Sequence, residues 1–527
     1  MNLSTIKTPG VYINEINTIP SSVVPVATSV PAFIGYTPQA MYQGKSYTNV
    51  PTKISSFAEF QAIFCLPTPP SSVNPAKQYN PQYYLVKQEN QPSSSNHIMI
   101  ANDYYAIVPD PNTIYYLYNS IKLFFDNGGS NAYIVSVGSY GATSGKAAQI
   151  GNQIVNPNVQ IDDLTKGLAL LEKEQEPTMY ICPEATLLSV ENNATLMQEM
   201  LSQASKKQTA ICIFDIIGGK TPHPNTYIED ITAFRNATGS TGLDYGAAYY
   251  PFVETTVQKT NDINYTNLFG GDLNKLQEIL SPENNPNESV NAIINTIQTT
   301  SSEHALTAHQ YNSLLIAASP IYSTIMTYIL SDANLLPPSG GMAGVITRTD
   351  NQLGPWKAPA NVAMNDVINL PINLTNAQQE VLNVDIVSGK SINAIRFFNR
   401  AGILVWGAKT LDGNSPDWKY LSVRRTVIFL EQSCKVAAMA YVFEPNDYGT
   451  WESVKSMISS FLYGIWKQGG LQGATPEEAF SVECGLGSTM TTEDILNGIM
   501  KVSITVAPIR PAEFIVFTFQ QKMASSI

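Results

Sequence analysis

Charged side chains are scarce in this sequence of 527 residues. They make up 14% of the chain, well below the roughly 25% of an average soluble protein. This deficit favours a subunit that hides much of its surface in a large assembly over a free monomer. Basic residues are also in the minority, with 30 Lys and Arg against 42 Asp and Glu and a net charge of −12. Because phosphate binding needs a basic surface, this balance argues against nucleic acid as a direct partner.

Cysteine and histidine are few. The five cysteines are odd in number and far apart in the chain, at Cys65, Cys182, Cys212, Cys434 and Cys484. Such a pattern indicates neither a disulfide framework nor a metal site, and it favours folding in a reducing cytosol. Of the four histidines, His304 and His309 are five residues apart, which is not the four-residue spacing of a helical metal pair. We therefore expect no metal and no cofactor.

We also expect neither a signal peptide nor a membrane-spanning segment. Residues 1–20 lack the basic head and apolar centre of a signal peptide. The segment 311–331 carries no charge, but its serine, threonine, asparagine and proline residues weaken a membrane-spanning helix. Ile316, Ile321, Ile325 and Ile329 instead suit a buried helix of a soluble protein. We therefore expect no membrane insertion.

The catalytic motifs that can be found are incomplete. Residues 141–147 fall one residue short of a phosphate-binding loop and lack its hydroxyl after Lys146. Residues 485–487 lack the third glycine of a dinucleotide turn, and Val137 stands where a nucleophile elbow needs glycine. We also find no Ser, His and Asp set. Each motif favours a turn, and we expect no catalytic residue. Of the functions that this fold class could serve, that of an α/β enzyme is therefore the least favoured.

Secondary-structure patterns, by contrast, are plentiful and indicate a mixed α/β fold. Short apolar strands at 178–182 and 209–217 flank a helical pattern at 196–204, which predicts a parallel βαβ unit. Further strands are expected at 26–35, 132–137 and 247–252. Polar composition predicts two insertions, at 67–112 and 255–309. The Gly- and Pro-rich segment 335–345 predicts tight turns and close approach of the backbone.

The C-terminal part combines helical and strand periodicity. An apolar stripe at helical spacing is formed by Trp451, Val454, Ile458, Phe461, Leu462 and Ile465. Helix starts follow at Thr475 and Thr491, and residues 502–506 alternate as a strand with one polar face. After Pro508 and Pro511 we predict a final strand at 513–520. It is apolar on both faces, so both faces must be covered.

Basic residues are concentrated in one stretch. Eight lie between Lys390 and Lys435, and only Asp412, Asp417 and Glu431 oppose them. Two interpretations remain open. One is ion pairing within the subunit or with a neighbour, and the other is a basic surface that faces an acidic partner. The candidates for such a surface are Arg424, Arg425, Lys419 and Lys435.

Several segments resemble one family, the contractile tail sheath proteins. They include Asn393-Ala-Ile-Arg-Phe-Phe to Leu411, Asp417-Trp-Lys-Tyr to Arg425, Phe443-Glu-Pro-Asn-Asp447, Leu471 to Phe480 and Val506 to Phe514. Pro9-Gly-Val-Tyr12 and Leu335 to Asn361 are also similar to that family. These proteins coat phage tails, R-type bacteriocins and phage-tail-like injection particles. The similarity covers the first 35 residues and nearly everything after Leu335, with patches between.

The resemblance implies a structural function. Copies of the subunit would polymerise helically around an inner tube and contract to drive it through a target envelope. The implied partners are other copies, the inner tube protein, the baseplate and a tail-terminator or cap protein. The particle would be part of a phage tail or would leave the cell as an extracellular machine, and both remain open. A filament or shell that never contracts is the main alternative.

The resemblance also implies a multi-domain organisation. We expect an N-terminal extended arm at 1–25, a central α/β domain at 26–365, a C-terminal α/β core domain at 366–510 and a C-terminal strand arm at 511–527. Both arms would add strands to the sheets of neighbouring copies. Contacts that face the tube or a neighbouring copy would fall on the basic candidates. The arm residues are Val11, Tyr12, Ile13, Ile16, Phe514, Ile515, Val516, Phe517 and Phe519.

Overall fold

The computed structural model describes residues 22–69, 72, 74–91, 97–282, 285–300 and 305–517. The chain divides into two compact units. The large unit is Ala27–Arg425, and the terminal unit combines Met1–Val26 with Thr426–Ile527. This division differs from the boundary predicted at 365/366. The reason is that strands at residues 393–405 pair with the sheet of the large unit rather than with the terminal unit.

The strands of the described residues, in chain order, are β1 Pro31–Thr37, β2 Met41–Tyr42, β3 Lys45–Ser46, β4 Thr52–Ile54, β5 Tyr83–Gln88, β6 His97–Ile100, β7 Asp103–Pro109, β8 Ala132–Ser139, β9 Met179–Ile181, β10 Ile211–Asp215, β11 Gly246–Tyr250, β12 Val253–Thr255, β13 Leu335–Leu336, β14 Val362–Ala363, β15 Val367–Asn369, β16 Asn393–Phe398, β17 Gly402–Val405, β18 Phe480–Cys484 and β19 Val502–Val506.

The α-helices of the same residues are α1 Phe57–Phe64, α2 Leu117–Asp126, α3 Ile161–Leu170, α4 Val190–Lys207, α5 Tyr227–Ala237, α6 Leu273–Leu280, α7 Glu288–Thr299, α8 Ala308–Ala318, α9 Pro320–Ala333, α10 Ser339–Leu353, α11 Asn376–Asn383, α12 Leu421–Ala438, α13 Tyr448–Lys467, α14 Pro476–Ala479 and α15 Thr492–Leu496. The mixed α/β class predicted from the sequence is therefore confirmed.

A nine-stranded sheet forms the centre of the large unit. Its order is β14-β17-β16-β11-β10-β9-β1-β8-β4, and the strands from β8 to β16 in that order run parallel. The predicted βαβ unit is confirmed as β9, α4 and β10. Every residue of β1, β9, β10 and β11 is buried. Burial on both faces is typical of parallel strands covered by helices and explains their continuous apolar sequences.

Both predicted insertions carry secondary structure of their own. Residues 67–112 include an antiparallel sheet of order β5-β7-β6, and residues 255–309 include α6 and α7. The uncharged segment that follows is divided between α8 and α9 at Ser319, whose hydroxyl caps α9. Among the helices described, none combines the length and the apolar character that a membrane crossing requires.

The glycine-rich segment forms a helix rather than the predicted tight turns. Gly340, Gly341 and Gly344 lie in α10, which packs against α2. A Cβ atom on Gly340 would lie 2.5 Å from the carbonyl oxygen of Ser120, and one on Gly344 would lie 2.5 Å from that of Phe124. The predicted close approach of the backbone is thus confirmed. Glycine is needed here for space between two helices, not for a turn.

We predict that Gly344→Ala destabilises the large unit by about 1–3 kcal/mol, because the new methyl group overpacks the contact between α2 and α10. Gly464→Ala in α13 is the matched control, since a Cβ there would meet nothing within 4 Å. That change should stabilise the protein by about 0.5–1 kcal/mol, the usual preference of a helix for alanine. Urea unfolding of both variants measures the difference, and a neutral Gly344→Ala would contradict the packing described.

The terminal unit contains α13 and the two-stranded sheet of β18 and β19. The predicted apolar stripe of α13 is confirmed, with its six residues buried. The helix start at Thr491 is a complete capping box with Asp494. At Thr475 the side chain makes no capping bond, and Glu478 accepts the N–H of Ala474 instead. Trp451, Cys484 and Met490 form a small core, with Ile495, Met500 and Val502 packed against it.

Candidate assembly site

The C-terminal segment exposes four consecutive apolar side chains. Phe514, Ile515, Val516 and Phe517 are 75%, 72%, 86% and 77% exposed. Residues 511–517 form no strand within the subunit, and Phe519 lies outside the described residues. Contiguous exposed apolar side chains are typical of a surface that a partner covers. This segment is therefore the first element of a candidate assembly site.

The two-stranded sheet of the terminal unit is the second element. One of its faces is apolar and packs towards α13, with the pairs Val482–Ile504 and Cys484–Val502. Its other face carries Ser481, Glu483, Ser503 and Thr505. Ile504 belongs to the apolar face of β19 yet remains 39% exposed. The apolar face therefore continues beyond β19, where another strand could cover it.

The edges of this sheet are open within the described part of the chain. There, β18 and β19 pair only with each other, and the backbone contacts of Leu471 with Pro508 and of Gln472 with Ala507 lie just beyond the end of β19. Two-stranded sheets are only marginally stable on their own, and the unpaired N–H and C=O groups of an edge strand can bind a further strand. The chain leaves the sheet at Pro508, and the exposed segment 514–517 begins six positions later. One copy thus offers both an edge that can accept a strand and a segment that can supply one.

The N-terminal arm lies largely outside the described residues. This applies to Val11, Tyr12, Ile13 and Ile16, so their assignment stays a prediction. The last residues of the arm are described. Val23 is buried, and the N–H of Val26 donates to the Ser433 hydroxyl at 3.2 Å. The arm therefore begins from a fixed point beside α12.

The basic stretch does not form a continuous surface. Its buried members are Lys390, Arg396, Lys409, Arg424 and Arg425. Several of them bond to the backbone, as Arg396 does to the carbonyl of Leu374. Lys419 is half-buried beside the ring of Tyr420, and Lys435 is exposed on α12. A contact with a tube or neighbour remains a prediction, now centred on Lys435 and Lys419.

Arg424 and Arg425 find their partners within the large unit. The Arg425 guanidinium binds both carboxylate oxygens of Asp350, at 2.9 Å and 2.5 Å, and donates to the carbonyl of Thr28. The Arg424 guanidinium stacks on Trp418 at 3.6 Å and lies 3.1 Å from the Asp244 carboxylate. Of the two interpretations left open by the sequence, pairing within the subunit fits these residues. No local pattern pointed to Asp350, which is 75 positions away in the chain.

The carboxyl edge of the parallel sheet, where α/β enzymes place their ligands, holds two buried carboxylates. Glu184, after β9, accepts the N–H groups of Tyr116 and Leu117 at the start of α2. Asp215, at the end of β10, accepts the N–H and hydroxyl of Ser339 at the start of α10. Each carboxylate thus occupies a helix N-terminus that could otherwise hold an anion. The chain fills these positions itself.

These two carboxylates predict a pH dependence. Burial raises the pKa of Glu184 from 4.5 to about 8 and that of Asp215 from 3.8 to about 7, although backbone N–H donors oppose the shift. Between the lower and upper values the folded state binds more protons than the unfolded state. The free energy of unfolding of the large unit should therefore fall as pH rises through this range. Glu184→Gln should flatten the dependence, whereas exposed Glu172→Gln should not, as thermal unfolding at several pH values would show. An unchanged profile in Glu184→Gln would contradict the assignment.

The incomplete phosphate loop encloses another carboxylate of the chain. Asp110 accepts bonds from the Thr143 hydroxyl, from the Ser144 hydroxyl at 2.7 Å and from the N–H of Gly145 at 2.9 Å. The Asp110 carboxylate thus stabilises the turn that was expected at residues 141–147. Among the described residues no group of three His, Cys, Asp or Glu side chains is placed to hold a metal ion, and His304 lies outside them.

The chain is similar in sequence and in fold to proteins of contractile sheaths. Residues 414–522 match the phage tail sheath C-terminal domain family. A tail sheath protein of Vibrio phage KVP40 is 28% identical over 191 residues, which are 35% of this chain and 26% of that protein. The chain thus spans about a quarter of the length of that curated relative.

Solved structures match almost the whole chain. A sheath complex of the PVC extracellular contractile injection system, in its contracted state, is 23% identical with a TM-score of 0.57 and covers 98% of both chains. A chain of the baseplate of the anti-feeding prophage is 25% identical with a TM-score of 0.56, covering 98% of this chain and 100% of that one. The fold is that of contractile sheath subunits. The family resemblance predicted from the sequence is confirmed as a similarity to contractile sheath proteins, in sequence over residues 414–522 and in fold over almost the whole chain.

Proposed function

We propose that this protein is the repeating subunit of a contractile sheath. The observation that carries the proposal is the pair of complementary elements in the terminal unit, an open-edged sheet on α13 and an exposed apolar segment at 514–517. An element that is supplied by one copy and accepted on a different surface of the next gives an open, helical assembly. The solved relatives are a helical sheath and baseplate components, which supports the same arrangement here.

The C-terminal segment would pair with the sheet edge of a neighbouring copy. A strand beside β19 would extend the apolar face at Ile504 and cover two of the four exposed side chains. Each main-chain hydrogen bond contributes only about 1 kcal/mol, but several bonds per copy join the copies into a mesh. The N-terminal residues Val11–Ile16 would pair in the same way. Pro508 and Pro511 interrupt pairing before the C-terminal arm and provide the hinge.

Contraction would then move rigid subunits without breaking the mesh. The subunits would surround an inner tube and shorten from an extended, metastable state, which pushes the tube through the target envelope. Burial of a further ~200 Å² of apolar surface per subunit would release roughly 5 kcal/mol. Summed over many copies, this is sufficient for a mechanical stroke. The further partners in this proposal are the inner tube, the baseplate and a cap protein.

This function requires no catalysis. The buried carboxylates at the sheet edge are engaged with helix N-termini, which supports a structural function for the large unit. Assembly would take place in the bacterial cytoplasm, and the particle would be released by lysis or another route. Purified protein should show no protease or nucleotidase activity above a mock purification.

Electron microscopy of the expressed protein, with and without its tube protein, tests the proposal. Tubes that shorten and widen on mild denaturation are the expected result. Tubes of a single fixed diameter under all conditions would favour the non-contractile filament. Small monodisperse particles that never polymerise would overturn the assembly function.

A further inference from the structure

A group of exposed apolar side chains lies close in the chain to Val26 and Ser433, where the N-terminal arm begins. It consists of Val24, Val436, Met439, Val442 and Phe443, which are 71%, 53%, 68%, 62% and 103% exposed. We call it the Val436 surface. All five residues belong to the terminal unit, and four of them follow one another over eight positions at the end of α12. Neither the sheet edge nor the C-terminal segment includes any of them.

The backbone conformation after α12 keeps these side chains exposed to solvent. Residues Met439–Tyr441 form a 3-10 turn after α12, with Tyr441 buried. Phe443 follows in the left-handed region with φ of 72°. Such a conformation is unfavourable for a bulky residue. The fold thus accepts strain to present an aromatic ring to solvent, which indicates that something covers the ring.

The described end of the N-terminal arm is fixed next to α12. Val26 donates its N–H to Ser433, and Val436 is the next residue on the same side of α12. Side chains three positions apart on a helix are about 5–6 Å apart. Ile16 and Val23 are seven positions apart in the chain, a separation of up to about 23 Å when the backbone is extended. The apolar residues at 11–16 can therefore reach the Val436 surface of their own copy.

We infer that residues Val11–Ile16 cover the Val436 surface of the same copy before assembly. This inference rests on the proposed sheath function, in which the arm later pairs with a neighbour. A short tether gives the arm an effective concentration of about 1 mM, so at micromolar protein it outcompetes the arms of other copies by about a thousandfold. The free subunit thereby hides both an apolar surface and its own strand. Polymerisation then starts only where an existing sheet edge competes for the arm.

Cysteine cross-linking in the full-length chain tests the inference. The native cysteines are all buried and unpaired, so they leave the introduced pair selectively reactive. Ile13→Cys with Met439→Cys, in the monomeric fraction and with a short bis-maleimide, should yield a cross-linked species of monomer size. Ile13→Cys with Leu496→Cys is the matched control, because Leu496 is 82% exposed in the same unit but outside the surface. The control should cross-link far less.

Two outcomes would overturn the inference. Cross-linked dimers from a mixture of the two single variants, without the monomer-sized species in the double variant, would assign the surface to a neighbouring copy. The absence of any cross-link above the control would remove the arm from the surface. If the cysteine variants fail to fold, dye binding decides the matter. Removal of residues 1–19 should increase the fluorescence of a hydrophobic dye severalfold, and Met439→Ser with Phe443→Ser should cancel the increase.

The two proposals can fail separately. A subunit that shows the intramolecular cross-link but never forms tubes would keep this inference and reject the sheath function. Tubes formed by a protein without the cross-link would keep the sheath function and reject this inference.

Discussion

Removal of residues 514–527 should leave a folded subunit that no longer forms tubes. The described part of this segment makes no strand within its own copy and exposes all four apolar side chains. Its loss should therefore leave the free energy of unfolding almost unchanged while it abolishes the contact between copies. Removal of residues 1–19 should have the same effect on assembly. Electron microscopy and size-exclusion chromatography measure assembly, and circular dichroism confirms the fold.

A smaller deletion provides the control for this experiment. Removal of residues 524–527 alone retains Phe514–Phe519 and should preserve tube formation. Normal contractile tubes from the longer truncations would disprove strand addition by the arms. Loss of the folded state in the longer truncations would show instead that the segment stabilises its own copy.

Arg425→Met should destabilise the large unit by about 3–5 kcal/mol, the usual effect of breaking a buried ion pair. The Asp350 side chain is only 1% exposed, so the variant would leave a buried carboxylate without its counter-ion. Arg425→Met together with Asp350→Leu should recover most of the loss, since apolar replacement of both partners is often neutral. Chemical denaturation of the single and double variants gives the comparison.

Lys435→Met serves as the control, because this residue is exposed on α12 and should change stability by less than about 0.5 kcal/mol. If Arg425→Met kept full stability but failed to assemble, the tube- or neighbour-facing function predicted for this residue would be favoured. If Lys435→Met alone weakened assembly in a salt-dependent way, the basic contact would lie on the exposed side of α12.

Short-range patterns predicted most individual elements. The βαβ unit of β9, α4 and β10, the stripe of α13 and the strand β19 all follow from the spacing of apolar residues. Spacing is a local property, and the periods of helix and strand differ enough to be read directly. The family segments in the C-terminal part predicted the sheath fold for the same reason, since they are continuous in the chain.

The spacing of residues in the sequence did not predict features that depend on packing against residues distant in the chain. Gly340 and Gly344 suggested turns, yet both lie within α10 and leave room there for α2. Arg424 and Arg425 suggested a surface charge, yet they are buried against Trp418 and Asp350. The exposed apolar surface at the end of α12 was not predicted, because an apolar residue on a helix gives no sign of whether another element covers it.

The sequence by itself determined the class of fold, the two apolar ends set off by prolines and the lack of a complete catalytic motif. All of these depend on residue type and local order. The tertiary structure alone decided which residues are buried, where the two units divide and which carboxylates occupy the helix N-termini. Those properties depend on contacts between residues tens to hundreds of positions apart, and a one-dimensional pattern does not record which distant residue will fill a given space.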